Sequence, residues 1–400
     1  MTNRFVSAES PGGPKVGALV VGGDFHGLAI VRSLARKGIP VCVVDNEHSI
    51  ARFSRYTTHY VRVEGLRNEQ ETVNTLLEIA KRMNLRGWVL YATRDEHVAA
   101  FARHRTALAE WFRVPTPDWE VVKWAWNKWN TYQLAQKIGL CIPTTYCPRS
   151  VEELESLDVQ FPVGIKPAVK EDFFYATRAK AWRANNRDEL RALFARALQH
   201  SRGNEVLIQE IIPGDGQHQY SSCLFFKEGR VVASMEALRW RQHPPEFGRA
   251  ATYVESIDHP EVREMSAHFL RKINYYGLAE VEFKRDPRDG RLKLLDVNAR
   301  TWGFHALGEA AGVDFSSLLF ADQVGEQVHE CHGDAGVGWM RVITDLPYSL
   351  LGLMNRQLPW GAYVQSLRNV AIESVYSRED LKPSLAEFAM LPYLIIKKGI

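Results

Sequence analysis

The stretch RLKLLDVNARTWGFHALG, Arg291 to Gly308, starts as alternating apolar sequence and ends in an acid, an amide and a cation at every second position. Side chains on a strand point to alternate faces, so Asp296, Asn298 and Arg300 share one face. Leu295, Val297 and Ala299 then point the other way, into a core. A row of hard oxygen donors followed by a guanidinium suits Mg2+ and a phosphate, because Mg2+ prefers carboxylate and phosphate oxygens. A solvated strand end running into a turn has the same pattern, and the stretch alone leaves both readings open.

The preceding segment narrows the choice. In Gly277 to Lys284 (GLAEVEFK), Glu280 and Glu282 share a face, and the turn from Pro287 to Gly290 joins this segment to the next as a hairpin. The hairpin can set Glu282 beside Asp296 and Asn298, bringing three oxygen ligands to one place. Carboxylates that close repel, and a divalent cation is a natural reason for them. The competing reading is a hairpin salt-bridged by Lys284 and Arg300. Lys166 lies inside the buried-type strand FPVGIKP, where a charge needs an anion, and a nucleotide phosphate would serve. Lys128, in WAWNKWN, is a second such candidate. In LIQEIIPG, Leu207 to Gly214, a strand runs into a Pro-Gly break whose backbone groups can read an adenine edge.

Farther out, VGALVV, the glycine turn Gly22 to Gly27, a helix from Leu28 and the strand IPVCVV form a βαβ unit. Helix 71–83, strand 87–91 and helix 97–112 continue it as a doubly wound α/β domain. Residues 121–138 read as one helix. The middle of the chain reads as α+β with antiparallel hairpins, and the last 70 residues carry no clear pattern. The chain has 400 residues, 46% hydrophobic and 24% charged, with a net charge of +3. That balance gives no reason to invoke nucleic acid or a membrane as the main partner. Five cysteines without a CxxC pair argue for a reducing compartment. The polar N-terminus does not read as a signal peptide, and no apolar run reaches the roughly 18 residues of a membrane span. A cytoplasmic protein is expected. The C-terminal LPYLIIKKGI could touch a membrane, but reads better as a docked helix.

The order Lys128, IGLCIPTT, PVGIKP, LIQEIIPG, VEFK, DVNAR after a Rossmann-like domain resembles the ATP-grasp ligase superfamily over about residues 16–325. SRYTTHYVRV, TRDEHV and IGLCIPTTY resemble the branch of biotin carboxylase and carbamoyl-phosphate synthase that includes D-aspartate ligase-type carboxylate–amine ligases. The resemblance implies an α/β and α+β fold. A flexible N-terminus (1–14) would precede a Rossmann-like domain (15–117) and an ATP-grasp domain (118–328). The latter would have a mobile lid at about 145–212 and an antiparallel-sheet subdomain, and residues 329–400 would form a C-terminal extension.

The same resemblance implies ATP and Mg2+ or Mn2+ as cofactors. Lys128, Lys166 and Lys180 would contact phosphates, with Lys166 also catalytic. Gln209, Glu210, Ile211 and Ile212 would receive adenine, and Asp215 or Gln217 would reach the ribose. Glu282, Asp296 and Asn298 would hold metal, and Arg300 would stabilise the transferred phosphoryl group. Arg239 and Arg241 would clamp a carboxylate substrate. The expected reaction joins small carboxylate and amine substrates, amino acids among them, through an acyl-phosphate. The resemblance allows a homodimer through the first domain. Two departures stand out: Asp296 replaces the more usual Glu, and AVKEDFFYATRAKAW lacks the glycines of the usual phosphate loop. These leave a non-catalytic ATP-binding protein as the alternative. Gly22-Gly23-Asp24 with Asp45 lacks the spacing of a dinucleotide fingerprint, and His329-Glu330-Cys331-His332 reads as a surface loop rather than a zinc site.

Overall fold

A computed structural model describes residues 16–398 apart from 202–204, 215, 244–246 and 249. The expectations for residues 1–14 and for Asp215 lie outside the described residues.

The first domain grows from buried apolar strands separated by capped helices. Strand β1 (Ala18–Val21) leads through the glycine turn to α1 (Phe25–Ala35), whose first turn is capped by Asp24 accepting from the His26 N–H at 3.0 Å. A side chain at Gly22 would sit 2.1 Å from Thr93 Oγ1, and its φ of +97° suits only glycine. Strands β2 (Val41–Asp45) and β3 (His59–Arg62), helix α2 (Glu69–Met83) and strand β4 (Trp88–Ala92) follow. The residues expected as one helix over 97–112 divide into α3 (Asp95–Arg103), α4 (Arg105–Ala109) and a short strand β5 (Phe112–Arg113). The break falls at His104, which leaves helical geometry, and Phe112 pairs with Trp88 at the sheet edge. The sheet is parallel, in the order β3-β2-β1-β4-β5. Its strand order reverses between β1 and β4, so the carboxyl ends of those two strands form the crevice where such sheets bind ligands.

The expected helix over 121–138 is also two, α5 (Trp119–Trp126) and α6 (Lys128–Lys137). Asn127 between them is extended, and its side-chain oxygen caps the N–H groups of Trp129 and Asn130. Lys128 thereby becomes the first residue of α6, tied by its own N–H to Ala168 O at 2.9 Å. The segment expected as a lid builds β6 (Thr145–Tyr146), α7 (Val151–Glu155), β7 (Val163–Pro167), α8 (Glu171–Thr177), β8 (Trp182–Ala184), α9 (Arg187–His200) and β9 (Val206–Glu210). Its sheet runs β6-β9-β7-β8 over a core of its own, with Ile165, Phe173, Phe194 and Ile208 buried together.

The large sheet starts with β10 (Gln219–Lys227), β11 (Arg230–His243) and β12 (Ala250–Ile257). Helix α10 (Pro260–Lys272) precedes β13 (Gly277–Arg285) and β14 (Leu292–Asn298). Helices α11 (Ala306–Ala310) and α12 (Phe315–Gln323) lead to β15 (Cys331–His332) and β16 (Gly338–Met340). Then come α13 (Val342–Met354), α14 (Trp360–Asn369), β17 (Val370–Glu373), α15 (Lys382–Ala389) and α16 (Leu391–Lys398). The sheet order is β14-β13-β10-β11-β12-β16-β17, with β15 beside β11. Residues 329–400 therefore contribute strands to this sheet, and the expected boundary at 328 falls inside it. Cys331 and His332 are not a surface loop: they pair with Ala233 and Ser234, and His332 Nδ1 lies 2.9 Å from Ser234 Oγ. One buried cluster joins Val20 and Leu28 of the first domain to Phe225 and Trp339 of the large sheet and to Trp302, just after β14.

Arg241 of β11 makes a bidentate pair with buried Asp345 of α13, at 2.8 and 2.9 Å, and Thr252 and Ser349 also donate to that carboxylate. Removing one partner of such a pair strands the other without a counter-charge. Asp345→Asn should destabilise the fold by about 3 kcal/mol, read from the urea midpoint, with ATP affinity unchanged. Unchanged stability with weakened ATP binding would instead place Arg241 at the ligand.

Candidate active site

Strands β13 and β14 set Glu282 opposite Asp296 and Glu280 opposite Asn298, so the anticipated face exists. Its construction differs in one detail. Leu295 is an extra residue on β14, a bulge between the Glu282–Asp296 and Phe283–Leu294 pairs. The bulge turns Leu295 toward the cavity rather than the core and keeps Leu294 and Val297 buried on the apolar side.

The face floors a cavity of about 650 Å3. Eight cationic side chains line it (Lys128, Lys166, Lys170, Lys180, Arg183, Arg239, Lys284, Arg300) against four carboxylates (Glu210, Glu280, Glu282, Asp296). That excess suits a polyanion. Every floor carboxylate already meets a cation or donor. Lys128 donates to Asp296. Arg239 lies 3.3 Å from Glu280 and 3.2 Å from Glu282. Asn298 Nδ2 donates to both glutamates at 3.1 Å, and Gln219 donates to Glu282 at 2.9 Å. Burial and the neighbouring Glu282 push the Glu280 carboxyl up. Burial acts on Glu282 in the same sense, but Arg239, Lys180 and Lys128 outweigh it and hold its carboxyl down. Among the described residues no three His, Cys, Asp or Glu side chains converge as a preformed metal cluster. The donors nonetheless fit Mg2+: they are hard oxygens, crowded by like charge.

Lys166 Nζ donates to Tyr132 OH and Gln209 Oε1, both at 2.7 Å, and Tyr132 OH donates to Leu295 O at 2.7 Å. Gln209 thus orients Lys166, and its Nε2 is fixed on Thr145 Oγ1. Glu210 lines the cavity, with its carboxylate committed to Lys293 at 2.8 Å, Arg288 at 2.6 Å and the Thr144 N–H. Lys284 donates to Ile212 O and Gly214 O, pinning the turn after β9 to the floor. Ile211, Ile212, Pro143 and Phe247 give this end an apolar lining. Arg300 is bidentate to Asp95, at 2.6 and 3.2 Å, and also reaches Asn298 Oδ1 at 3.1 Å. Burial disfavours the Arg300 charge, but Asp95 outweighs it and raises the pKa.

Of the anticipated set, Arg241 and Gln217 alone among the described residues stay off the cavity lining, with Arg241 held by Asp345. Asp95 and Tyr132 were not singled out, and Glu280 and Lys284 were named only for their places on the hairpin. Asp95 had a signal in TRDEHV, since it follows β4 at the crevice of the first sheet. Tyr132 had none: only the fold brings it to Lys166. In place of a glycine loop the chain forms α8, whose flank Lys170 pairs with Asp95. Tyr175 of α8 donates to Glu96 at 2.6 Å, and Arg67 stacks 3.6 Å from the Tyr175 ring. Asp45, the residue a dinucleotide reading would require, is buried, with Gly23 N–H on its Oδ2 at 2.7 Å.

Residues 130–329 match the family model described as carbamoyl-phosphate synthase L chain, ATP binding domain, which is half of the chain. The chain belongs to this family. It is an ATP-grasp ligase. D-aspartate ligase of Enterococcus faecium is 25% identical over 324 residues, 76% of each chain. L-amino acid ligase from Bacillus licheniformis shares the fold at a TM-score of 0.61 and 15% identity, over 78% of this chain and 75% of that one. So does the biotin carboxylase domain of a Hydrogenobacter thermophilus 2-oxoglutarate carboxylase, a dimer in complex with MgADP, ADP and bicarbonate. Its TM-score is 0.65 at 16% identity, over 82% and 74%. The ligase spans 18% to 35% of the carbamoyl phosphate synthase chains it matches. Among its described residues no helix is long and apolar enough to cross a membrane.

Lys180 carries a measurable signature. Its Nζ donates to Gly248 O at 3.0 Å, and burial draws its pKa down to about 8. Glu282 and Asp296 oppose that shift, while Lys170 and Arg239 add to it. At pH 8 about half of Lys180 is then neutral amine, against under about 1% of an ordinary lysine with pKa about 10.4. Mass-spectrometric mapping of limited acetylation should find Lys180 modified first, with a midpoint near pH 8, and protected by ATP. A Lys180 profile matching the surface lysines would refute this environment.

Proposed function

We propose that this ligase joins a carboxylate to an amine with hydrolysis of ATP to ADP and phosphate. The observation that carries the reading is the convergence of Lys128, Lys166 and Lys180, the Glu282–Asp296–Asn298 face and Arg300 on one cavity. The names of the ligases it resembles in sequence and fold support amino acids as substrates.

The carboxylate oxygen attacks the γ-phosphorus, the bond to the β-phosphate oxygen breaks, and ADP leaves. The amine nitrogen then attacks the acyl carbon, the bond to phosphate breaks, and the nitrogen releases its proton. Positioning and charge neutralisation are the protein's contribution. Lys128, Lys166 and Lys180 hold phosphate oxygens, and the apolar slot beside Ile211 and Ile212 takes adenine. Glu282, Asp296 and Asn298 would hold Mg2+ or Mn2+, which when bound neutralises the β- and γ-phosphates. Lys128, paired with Asp296 here, would be free to turn toward phosphate where Asp296 serves as a metal ligand. Arg300 stabilises the phosphoryl group in flight. Arg239 is 6% exposed, and its Nε has no hydrogen-bond partner among the described residues, so it can receive the substrate carboxylate. The opposite wall, with Phe25, Phe304 and Trp339, faces the rest of the substrates. Closure of the lid, about residues 145–212, keeps water from the acyl-phosphate.

ADP and phosphate release from MgATP, measured with amino acids and small carboxylates supplied in pools, should depend on a particular pool. Asp296→Ala and Asn298→Ala should each lower turnover at least about 100-fold with circular dichroism unchanged. Near-native turnover in either variant would remove the metal assignment, and pool-independent ADP release would remove the ligation step.

A further inference from the structure

Fourteen large apolar side chains are exposed among the described residues, and twelve of them lie between Val342 and Ile395. Helix α13 is inside out for a surface helix. Its buried face carries Thr344, Asp345 and Ser349, while Val342, Leu346, Leu350 and Met354 repeat every four residues on the exposed face. Helix α15 exposes Leu385 at 69% and Phe388 at 74%. The two helices are pinned together: Arg341, just before α13, donates to Glu387 of α15 at 2.7 Å and to Ser374 at 3.2 Å.

The charges of this region are sorted as well. Asp345, Asp380 and Glu387 are buried on Arg241, Arg32 and Arg341. The Glu373 carboxylate is taken up by the N–H groups of Val342, Val375 and Tyr376. The exposed charges between residues 342 and 395 are Arg356, Arg368, Arg378 and Lys382 against Glu379, which itself lies 3.5 Å from Arg36. Exposed Arg52 and Arg55, on the turn that α15 contacts, add to the cationic rim.

We infer that α13 and α15 form a peripheral docking surface for an anionic lipid bilayer, with the apolar stripes entering the headgroup boundary and the arginines and lysine meeting lipid phosphates. Apolar helix faces rimmed by cations are the composition that binds such interfaces. Charge selects this occupant over a second copy of the chain, because a twofold contact through this face would set its cationic rim against itself. The surface lies apart from the catalytic cavity and the inference does not rest on the proposed reaction.

Sedimentation of the full chain with vesicles tests it. The protein should pellet with phosphatidylcholine–phosphatidylglycerol vesicles, weakly with phosphatidylcholine alone, and less as salt rises. Leu346→Glu/Leu350→Glu and Leu385→Glu/Phe388→Glu should each lower partitioning about tenfold or more, with circular dichroism unchanged. These positions are exposed, so the substitutions leave the core alone. Three results would overturn the inference: full-chain protein left in the supernatant with the mixed vesicles, equal pelleting of the variants, or a vesicle-free dimer by light scattering that the variants dissociate. The last would make this face a contact between copies.

Discussion

Burying carboxylates without leaving any of them alone is the constraint that organises this molecule. Glu280 and Glu282 sit on β13, beside the edge strand of the large sheet and out of bulk water, where an uncompensated charge costs several kcal/mol. Each part of the chain supplies something to answer them. Arg239 comes from β11 of the same sheet and Lys128 from the start of α6. Lys180 comes from the lid, and Arg300 from the end of β14. Arg300 in turn needs Asp95 from the first domain, which also takes Lys170 from the lid. The active site and the association of the three structural units thus share one set of ion pairs. Bound phosphates and a metal would take over partners from those pairs.

Replacing a glycine loop by α8 fits the same picture. A glycine loop offers backbone N–H groups to phosphate and stays mobile because little holds it. This chain offers lysines, and α8 is held by side chains: Lys170 on Asp95, Tyr175 on Glu96, and Arg67 over Tyr175. Residues 145–212 are fastened here to the first domain through Lys170 on Asp95, a contact that the proposed lid opening would break. Arg300 pairs with that same carboxylate, so in the proposed reaction the lid position and the orientation of Arg300 would be coupled through one residue.

Much of this was legible in the sequence because it is periodic. The βαβ order, the β13–β14 hairpin and the shared face of Asp296 and Asn298 follow from periods of two and 3.6. The misreadings have local causes that periodicity does not carry. Asn127 is a polar residue among helical ones, and its cap splits a helix. Leu295 looks like one more inward residue of an alternating strand, yet the bulge turns it out. Arg241 and Arg239 are two residues apart on a strand and chemically alike. Only the partner separates them: Arg239 faces the glutamates, while Arg241 meets Asp345, about a hundred residues later.

The C-terminal residues resisted reading for a deeper reason. A helix is recognised by apolar residues facing a core, and α13 reverses that rule by burying Thr344, Asp345 and Ser349. Beside the apolar packing of Val375, ion pairs tie this region down: Asp345 on Arg241, Glu387 on Arg341, and Asp380 on Arg32 of the first domain. Ionic attachment through inward-turned acids leaves outward faces free to be apolar and cationic. In water alone that arrangement gains nothing, since leucines face solvent and the buried acids need dedicated arginines. It becomes consistent once the outer face has an apolar, anionic neighbour. The same pairing rule that assembles the catalytic floor, acids inside and each one answered by a cation, then also determines what the protein presents outward.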